Sequence, residues 1–226
     1  MKKTISTIIA VIVIFALTLS FVSCCAEELN PKEASLPIGT VFHALNADGI
    51  DIAYTVIGDW ECQTGDDNHS AIDTNTTGRL TIPRQANGYH VTKISRLSFQ
   101  GCNKIAEVVI PQDIESLPNS CFDACTSLSY VELHEGLTSI GKCAFSACPI
   151  EMITIPSTVR SIDKGAFMSC SKLKVCRIKV VEPFEIHKVT FTSDLYDIVT
   201  LIVPQGSKSN YAKTECWSLF KTIIEE

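Results

Sequence analysis

The residues able to do chemistry in this 226-residue chain are eleven cysteines and five histidines. Thiolates and imidazoles at short, defined spacings bind zinc, and a thiol beside an imidazole can act as a nucleophile. The histidines stand at 43, 69, 90, 134 and 187; no two are four apart, and no His-Glu-x-x-His occurs. The best zinc set is Cys121, Cys125, Cys143 and Cys148, spaced C-x3-C and C-x4-C. These are poorer spacings than the short knuckles of structural zinc sites. Asp73-Thr74-Asn75-Thr76-Thr77-Gly78 copies the first half of a calcium loop, but position 12, which should be a bidentate Glu, is Arg84. Asp73 therefore reads as a turn before a strand, and Gly65-Asp66-Asp67-Asn68 as a solvated acidic turn. There is no G-x-S-x-G elbow and no phosphate-binding loop. The expectation is no catalytic residue, no metal and no cofactor.

The cysteines gain a different meaning from their spacing. Phe recurs at 99, 122, 145 and 167, and Cys at 102, 125, 148 and 170, in steps of 23, 23 and 22. Each Phe-x-x-Cys unit is followed by an alternating stretch such as Val108-x-Ile110 or Val131-x-Leu133, with proline closing it at 111 and 156. Alternation means a strand with one face buried. Repeats of 20–29 residues with one short strand each are those of leucine-rich repeats. One such turn cannot bury its own apolar column, whereas stacked turns bury a continuous one. Cys102, Cys125, Cys148 and Cys170 thus read as a ladder of small apolar residues beside the Phe ladder. Disulfides between neighbouring rungs are the alternative, because rung spacing is close to disulfide Cα spacing. Cys121 stands where other repeats have Ser98, Ala144 and Ala166; Cys143 where they have Leu97, Ser120 and Gly165; Cys176 where they have Val108, Val131 and Ile153. Cys62 and Cys216 lie outside this scheme.

A composition of 46% hydrophobic and 19% charged residues is not that of a disordered chain. The 19 Lys+Arg against 25 Asp+Glu give a net charge of −6. The only bases before Cys24 are Lys2 and Lys3, so without that segment 17 face 25, a net of −8. An acidic chain lacks the basic face that nucleic acid requires. Met1-Lys2-Lys3 followed by the apolar run Ile8 to Leu17 is similar to a secretory signal peptide and short for a membrane span. Its end, Phe21-Val22-Ser23-Cys24, resembles the lipobox of bacterial lipoproteins, which implies cleavage and lipidation at Cys24, with Cys25 as a second register. Glu27 and Glu28 resemble the surface-export signal of Bacteroides-type lipoproteins.

The pattern I-x-x-x-(A/S/C)-F-x-x-C-x-x-L-x-x-V-x-I-P resembles the BspA-type leucine-rich-repeat family of bacterial surface proteins. Asp48-Gly49-Ile50, Gly78-Arg79-Leu80-Thr81-Ile82-Pro83 and Gly88-Tyr89-His90 resemble that family's entry; Leu201-Ile202-Val203-Pro204, Tyr211, Trp217 and Phe220 resemble its closing unit. The resemblance implies a mainly-β repeat solenoid, a right-handed stack of period 22–23 with an N-terminal β cap and a C-terminal cap. The expected divisions are a signal peptide at 1–23, a lipidated tether at 24–39, a cap and entry strand at 40–93, four repeats at 94–182, and a closing repeat and cap at 183–226. A short helix is expected near Ala212 to Glu226. Family members act in adhesion, which implies binding to host extracellular matrix or another cell surface by an outer-membrane lipoprotein that is a monomer and not an enzyme. Glycan capture is one alternative, with Trp60, Tyr130 and Trp217 as the side chains able to stack on sugar, and a Cys/His-dependent enzyme is the other.

A solenoid presents its strands as one extended surface. Alternation assigns two outward columns. One is Arg79, Glu107, Tyr130, Met152, Val175 and Thr200; the other is Thr81, Val109, Glu132, Thr154, Arg177 and Ile202. The candidate partner-binding residues are those from Arg79 and Thr81 through Val175 and Arg177. Val109, Tyr130, Met152 and Val175 place apolar groups on a face that should be wet, as interaction sites do.

Overall fold

The computed structural model describes residues 35–226. The expected signal peptide, the lipidation site Cys24 with its second register Cys25, and the acidic pair Glu27 and Glu28 lie outside them. The chain opens with β1 (Val41–Leu45), β2 (Asp51–Gly58) and β3 (Glu61–Thr64), antiparallel one to the next. Ile52, Tyr54 and Val56 alternate inward along β2. After β4 (Gly78–Thr81) come β5 (Gln85–Ala86) and β6 (Tyr89–Ile94), a hairpin. Its turn residues Asn87 and Gly88 have φ of 48° and 85°, the left-handed pair a tight hairpin needs. β6 pairs parallel with β3 and completes a cap sheet of order β1-β2-β3-β6-β5. Gly39 N–H donates to Val56 O, so the end of the expected tether is bound to this cap.

Each repeat then contributes a long and a short strand: β7 (Ile105–Val109) and β8 (Ser116–Leu117), β9 (Tyr130–Glu132) and β10 (Ser139–Ile140), β11 (Met152–Ile155) and β12 (Ser161–Ile162), then β13 (Val175–Ile178). The long strands stack in parallel as β4-β7-β9 and, with the chain end, as a second sheet that opens with β11-β13; the short ones stack as β8-β10-β12. A core runs between the two stacks. Phe99, Phe122, Phe145 and Phe167 are fully buried, their rings stacked with centroids 5.2, 5.6 and 5.8 Å apart. Hydrogen bonds hold successive rungs about 4.8 Å apart, and the rings sit slightly farther apart, as offset stacking requires.

The backbone of the Phe turns forms its own ladder. Phe99, Phe122, Phe145 and Phe167 N–H donate to the carbonyls of Cys121, Ala144, Ala166 and Thr190, each one rung on. Two columns take left-handed φ: Leu97, Ser120, Cys143 and Gly165, and four residues later Gly101, Ala124, Ala147 and Ser169. Cys143 is therefore a turn residue. Gly141 has a tighter constraint. A Cβ there would meet Leu117 O at 2.7 Å and the Pro118 carbonyl carbon at 2.8 Å, both backbone. Gly141→Ala should therefore destabilise by about 1–3 kcal/mol, read as a lower urea midpoint. An unchanged midpoint would mean the two turns are not in contact.

The closing unit departs from expectation. A fifth ring, Phe191, continues the ladder at 5.3 Å from Phe167, and Tyr196 and Phe220 close it edge-on. α1 (Ser193–Ile198) leads to β14 (Thr200–Val203), which pairs with β13. The helix expected near Ala212 to Glu226 is not there. After β14, helix is confined to α2 (Lys208–Tyr211) and a single 3-10 turn at Trp217–Leu219, and β15 (Thr222–Glu225) runs parallel to β14. Cys216, with φ 66°, interrupts helical continuation, and Thr222-Ile223-Ile224 are β-branched residues suited to a strand. Trp217 Nε1 and Tyr211 Oη donate to Phe184 O and Val180 O, both at 2.7 Å, and fix this cap.

Candidate partner-binding face

Strand register places the outward residues in two columns, each in two runs, one per sheet. Arg79, Glu107 and Tyr130 are paired across β4, β7 and β9; Met152, Val175, Thr200 and Thr222 across β11 to β15. Thr81, Val109 and Glu132 form the second column, continued by Thr154, Arg177, Ile202 and Ile224. Arg79, Glu107, Glu132, Tyr130 and Met152 are exposed, the last two by 51% and 49%; Thr81, Val109, Thr154, Val175 and Arg177 are half-buried. Between the columns Val108, Val131, Ile153 and Cys176 point into the core.

The far end of the face is occupied by the chain itself. Arg177 Nε and Nη2 donate to Glu226 Oε2 at 3.1 and 2.8 Å. Arg177, Ile202 and Glu226 line one depression of about 230 Å³. Ile202, expected to point to solvent, is only 9% exposed, because β15 and this ion pair flank it. Glu226 and the exposed Ile224 were not among the sequence candidates. The alternation of Thr222-Ile223-Ile224-Glu225 was the signal that could have revealed them.

The ladder cysteines do backbone work. Cys125, Cys148 and Cys170 Sγ donate to the carbonyls of Phe99, Phe122 and Phe145 at 3.0, 3.0 and 3.1 Å, each to the rung before. Cys102 Sγ, at the head of the column, lies 3.6 Å from Ser70 Oγ. All nine described cysteines are free. Burial pushes the thiol of Cys102 up to about 11 and those of Cys62, Cys170 and Cys176 up to about 12. Cys121 is raised by burial, and Cys148 foremost by its hydrogen bond with Cys125. These six thiols keep their protons at neutral pH, and the thiolate is the nucleophile and metal ligand.

Other sequence candidates are dispersed. Among the described residues no group of three or more His, Cys, Asp or Glu could hold a metal ion. His43 pairs with Asp51 and His69 with Asp66, while His134 Nδ1 lies 3.0 Å from Glu135 O. His69 and the Asn68 and His69 N–H groups hold the Asp66 carboxyl down at about 2. Asp73 accepts the Asn75 N–H at 2.8 Å, an Asx turn. Trp217 is fully buried and offers no ring face for sugar, whereas Trp60 is half-buried and packs on Tyr89 at 5.2 Å. No described helix is long and apolar enough to cross a membrane.

Comparison with known proteins agrees with this geometry. The chain is similar in fold to the pneumococcal vaccine antigen PcpA, with 16% identity and a TM-score of 0.53 over 76% of this chain and 52% of that one. It thus spans about half the length of the antigen. It is also similar to a Treponema pallidum leucine-rich-repeat protein, TpLRR, with 17% identity and a TM-score of 0.44 over 84% and 83% of the two chains. A leucine-rich-repeat protein from Bacteroides ovatus shares 17% identity at a TM-score of 0.41, over 78% of this chain and 57% of that one. No curated protein matches the sequence. The family model of the BspA-type leucine-rich-repeat region matches residues 92–216 in six copies, two more than the four full Phe-x-x-Cys units. With more than half of its length matched and every long strand after the cap stacked in parallel, the chain belongs to the BspA-type leucine-rich-repeat family.

Proposed function

We propose that this chain is a bacterial surface lipoprotein that binds a protein partner through its strand face. The observation that carries the reading is the exposed pair Tyr130 and Met152 on neighbouring long strands. Leucine-rich repeats are generally protein-interaction modules, and a solenoid's strand stack is a rigid platform for such contacts. Tyr and Met are enriched in interfaces because they offer large apolar area. In this reading Cys24 carries the lipid, the outer membrane holds the protein facing outward, and the partner belongs to host extracellular matrix or another cell surface. The protein acts as a monomer and performs no chemistry.

Two measurements test this. Cys24→Ala should abolish lipid labelling and release the protein from membranes; continued acylation would move the anchor to Cys25. The full-length chain in detergent, probed against purified matrix proteins beside a glycan array, should bind protein in preference to sugar. Glycan binding alone would replace the proposal with nutrient capture.

A further inference from the structure

The seven long strands form two sheets, not one. β9 ends the first and β11 begins the second, and no strand pairing joins them. The repeat that follows β9 is one residue short. Cys102 and Ile105, Cys125 and Leu128, and Cys170 and Leu173 are three apart, but Cys148 and Ile150 are two apart, with Pro149 between. The break in the strand stack falls at this shortened turn. The core beneath is slightly opened: Val131 is 6% exposed, whereas Val108 and Ile153, at the same position of the flanking rungs, are 0% and 1%.

Two other features meet at the seam. Tyr130 and Met152 stand on either side of it. Glu107 and Glu132, exposed on β7 and β9, belong to the same two columns, and neither takes part in an ion pair among the described residues. Arg79 on β4 stands opposite Glu107 on β7 and offsets part of its charge, whereas no basic residue stands opposite Glu132 in the register of β7 and β9. The other arginine of the face, Arg177, is neutralised by Glu226, and its remaining Nη1 lies 3.9 Å from Met152 Sδ.

We infer that the seam between β9 and β11 is the docking locus and that the partner presents a cationic side chain next to an apolar one. This rests on the strand-face reading above. The apolar group covers Tyr130 and Met152, and the cation reaches Glu132 and Glu107. Arginine suits the site best, since its planar guanidinium pairs with a carboxylate through two parallel hydrogen bonds and stacks on a tyrosine ring. An acidic partner is rejected, because docking would desolvate like charges against each other.

A library of short random peptides, displayed to the full-length chain in detergent, tests this. The expected result is enrichment of peptides with Arg or Lys beside an aromatic or branched aliphatic residue. Binding of the enriched peptides should fall about tenfold in Glu132→Lys, an exposed position whose reversal leaves the core intact. It should also fall when one serine is inserted between Pro149 and Ile150, which restores the three-residue spacing and closes the ladder. The Glu132→Lys arm decides the matter even where the insertion variant does not fold. Acidic peptides enriched, or none enriched, would overturn the inference. Binding lost in Tyr130→Ala but unchanged in Glu132→Lys would overturn it while leaving the strand-face reading intact. Binding unchanged in both would overturn the two together.

Discussion

Phe122→Ala should remove a large share of the stability of the whole solenoid. The ring is fully buried and stacked on Phe99 at 5.2 Å and Phe145 at 5.6 Å. Truncating a core Phe costs about 3–5 kcal/mol, against a total of roughly 5–15 kcal/mol for an ordinary domain. The backbone bonds of the rung, from Phe122 N–H to Ala144 O and from the Cys148 thiol to Phe122 O, need no phenyl ring and would persist in the folded variant. The loss is thus one of packing, shared with the turns on either side because each contacts only its neighbours. Urea unfolding should show a much lower midpoint, and hydrogen exchange should quicken in the turns of Phe99 and Phe145. An unchanged midpoint would mean that the ladder is not the core.

Alkali should be the second strong perturbation. Thiols ordinarily titrate near 9.0, but burial raises Cys102 to about 11 and Cys62, Cys170 and Cys176 to about 12 in the folded chain. Between those values the unfolded chain has released protons that the native state still holds, so unfolding is favoured as pH rises. The contribution of each such thiol is complete below about pH 8. It declines by ~1.4 kcal/mol per pH unit from pH 9 up through its folded value. Urea midpoints in the presence of reductant should be level from pH 7 to 8 and drop steeply above 9. A level profile to pH 11, or fast labelling of the ladder thiols in native protein at neutral pH, would contradict their burial.

The repeat was legible because its most constrained residues are its rarest. A phenylalanine that must stack on its copy, and a cysteine three residues later, leave a period that chance does not mimic. Phe191 escaped the count for a physical reason: it follows Phe167 by 24 residues, and the residue three further on is Asp194, in the first turn of α1, in place of a cysteine. The role of the cysteines was only half visible. Small, buried and apolar could be read from position. The bond from each thiol to the preceding Phe carbonyl depends on the stacking of turns some 23 residues apart, and with it falls the alternative of rung-to-rung disulfides. The two outward columns follow from strand alternation alone. What alternation could not show is that the last residues add a strand, which places Glu226 against Arg177 and encloses Ile202. The missing residue after Cys148 was also plain in the sequence, but the break in the strand stack that falls there emerges only when the rungs are assembled.

The most direct test compares neighbours on one strand, Tyr130→Ala and Val131→Ala. Tyr130 is exposed on the face and Val131 lies beneath it in the core. The affinity of each variant for the partner identified with the parent chain is measured beside its urea midpoint. Tyr130→Ala should keep its midpoint within about 0.5 kcal/mol and lose about 2 kcal/mol or more of binding, as a buried aromatic anchor does. Val131→Ala should lose stability and, where still folded, keep its affinity. Parent-level affinity in Tyr130→Ala would contradict the claim that this protein binds through its strand face.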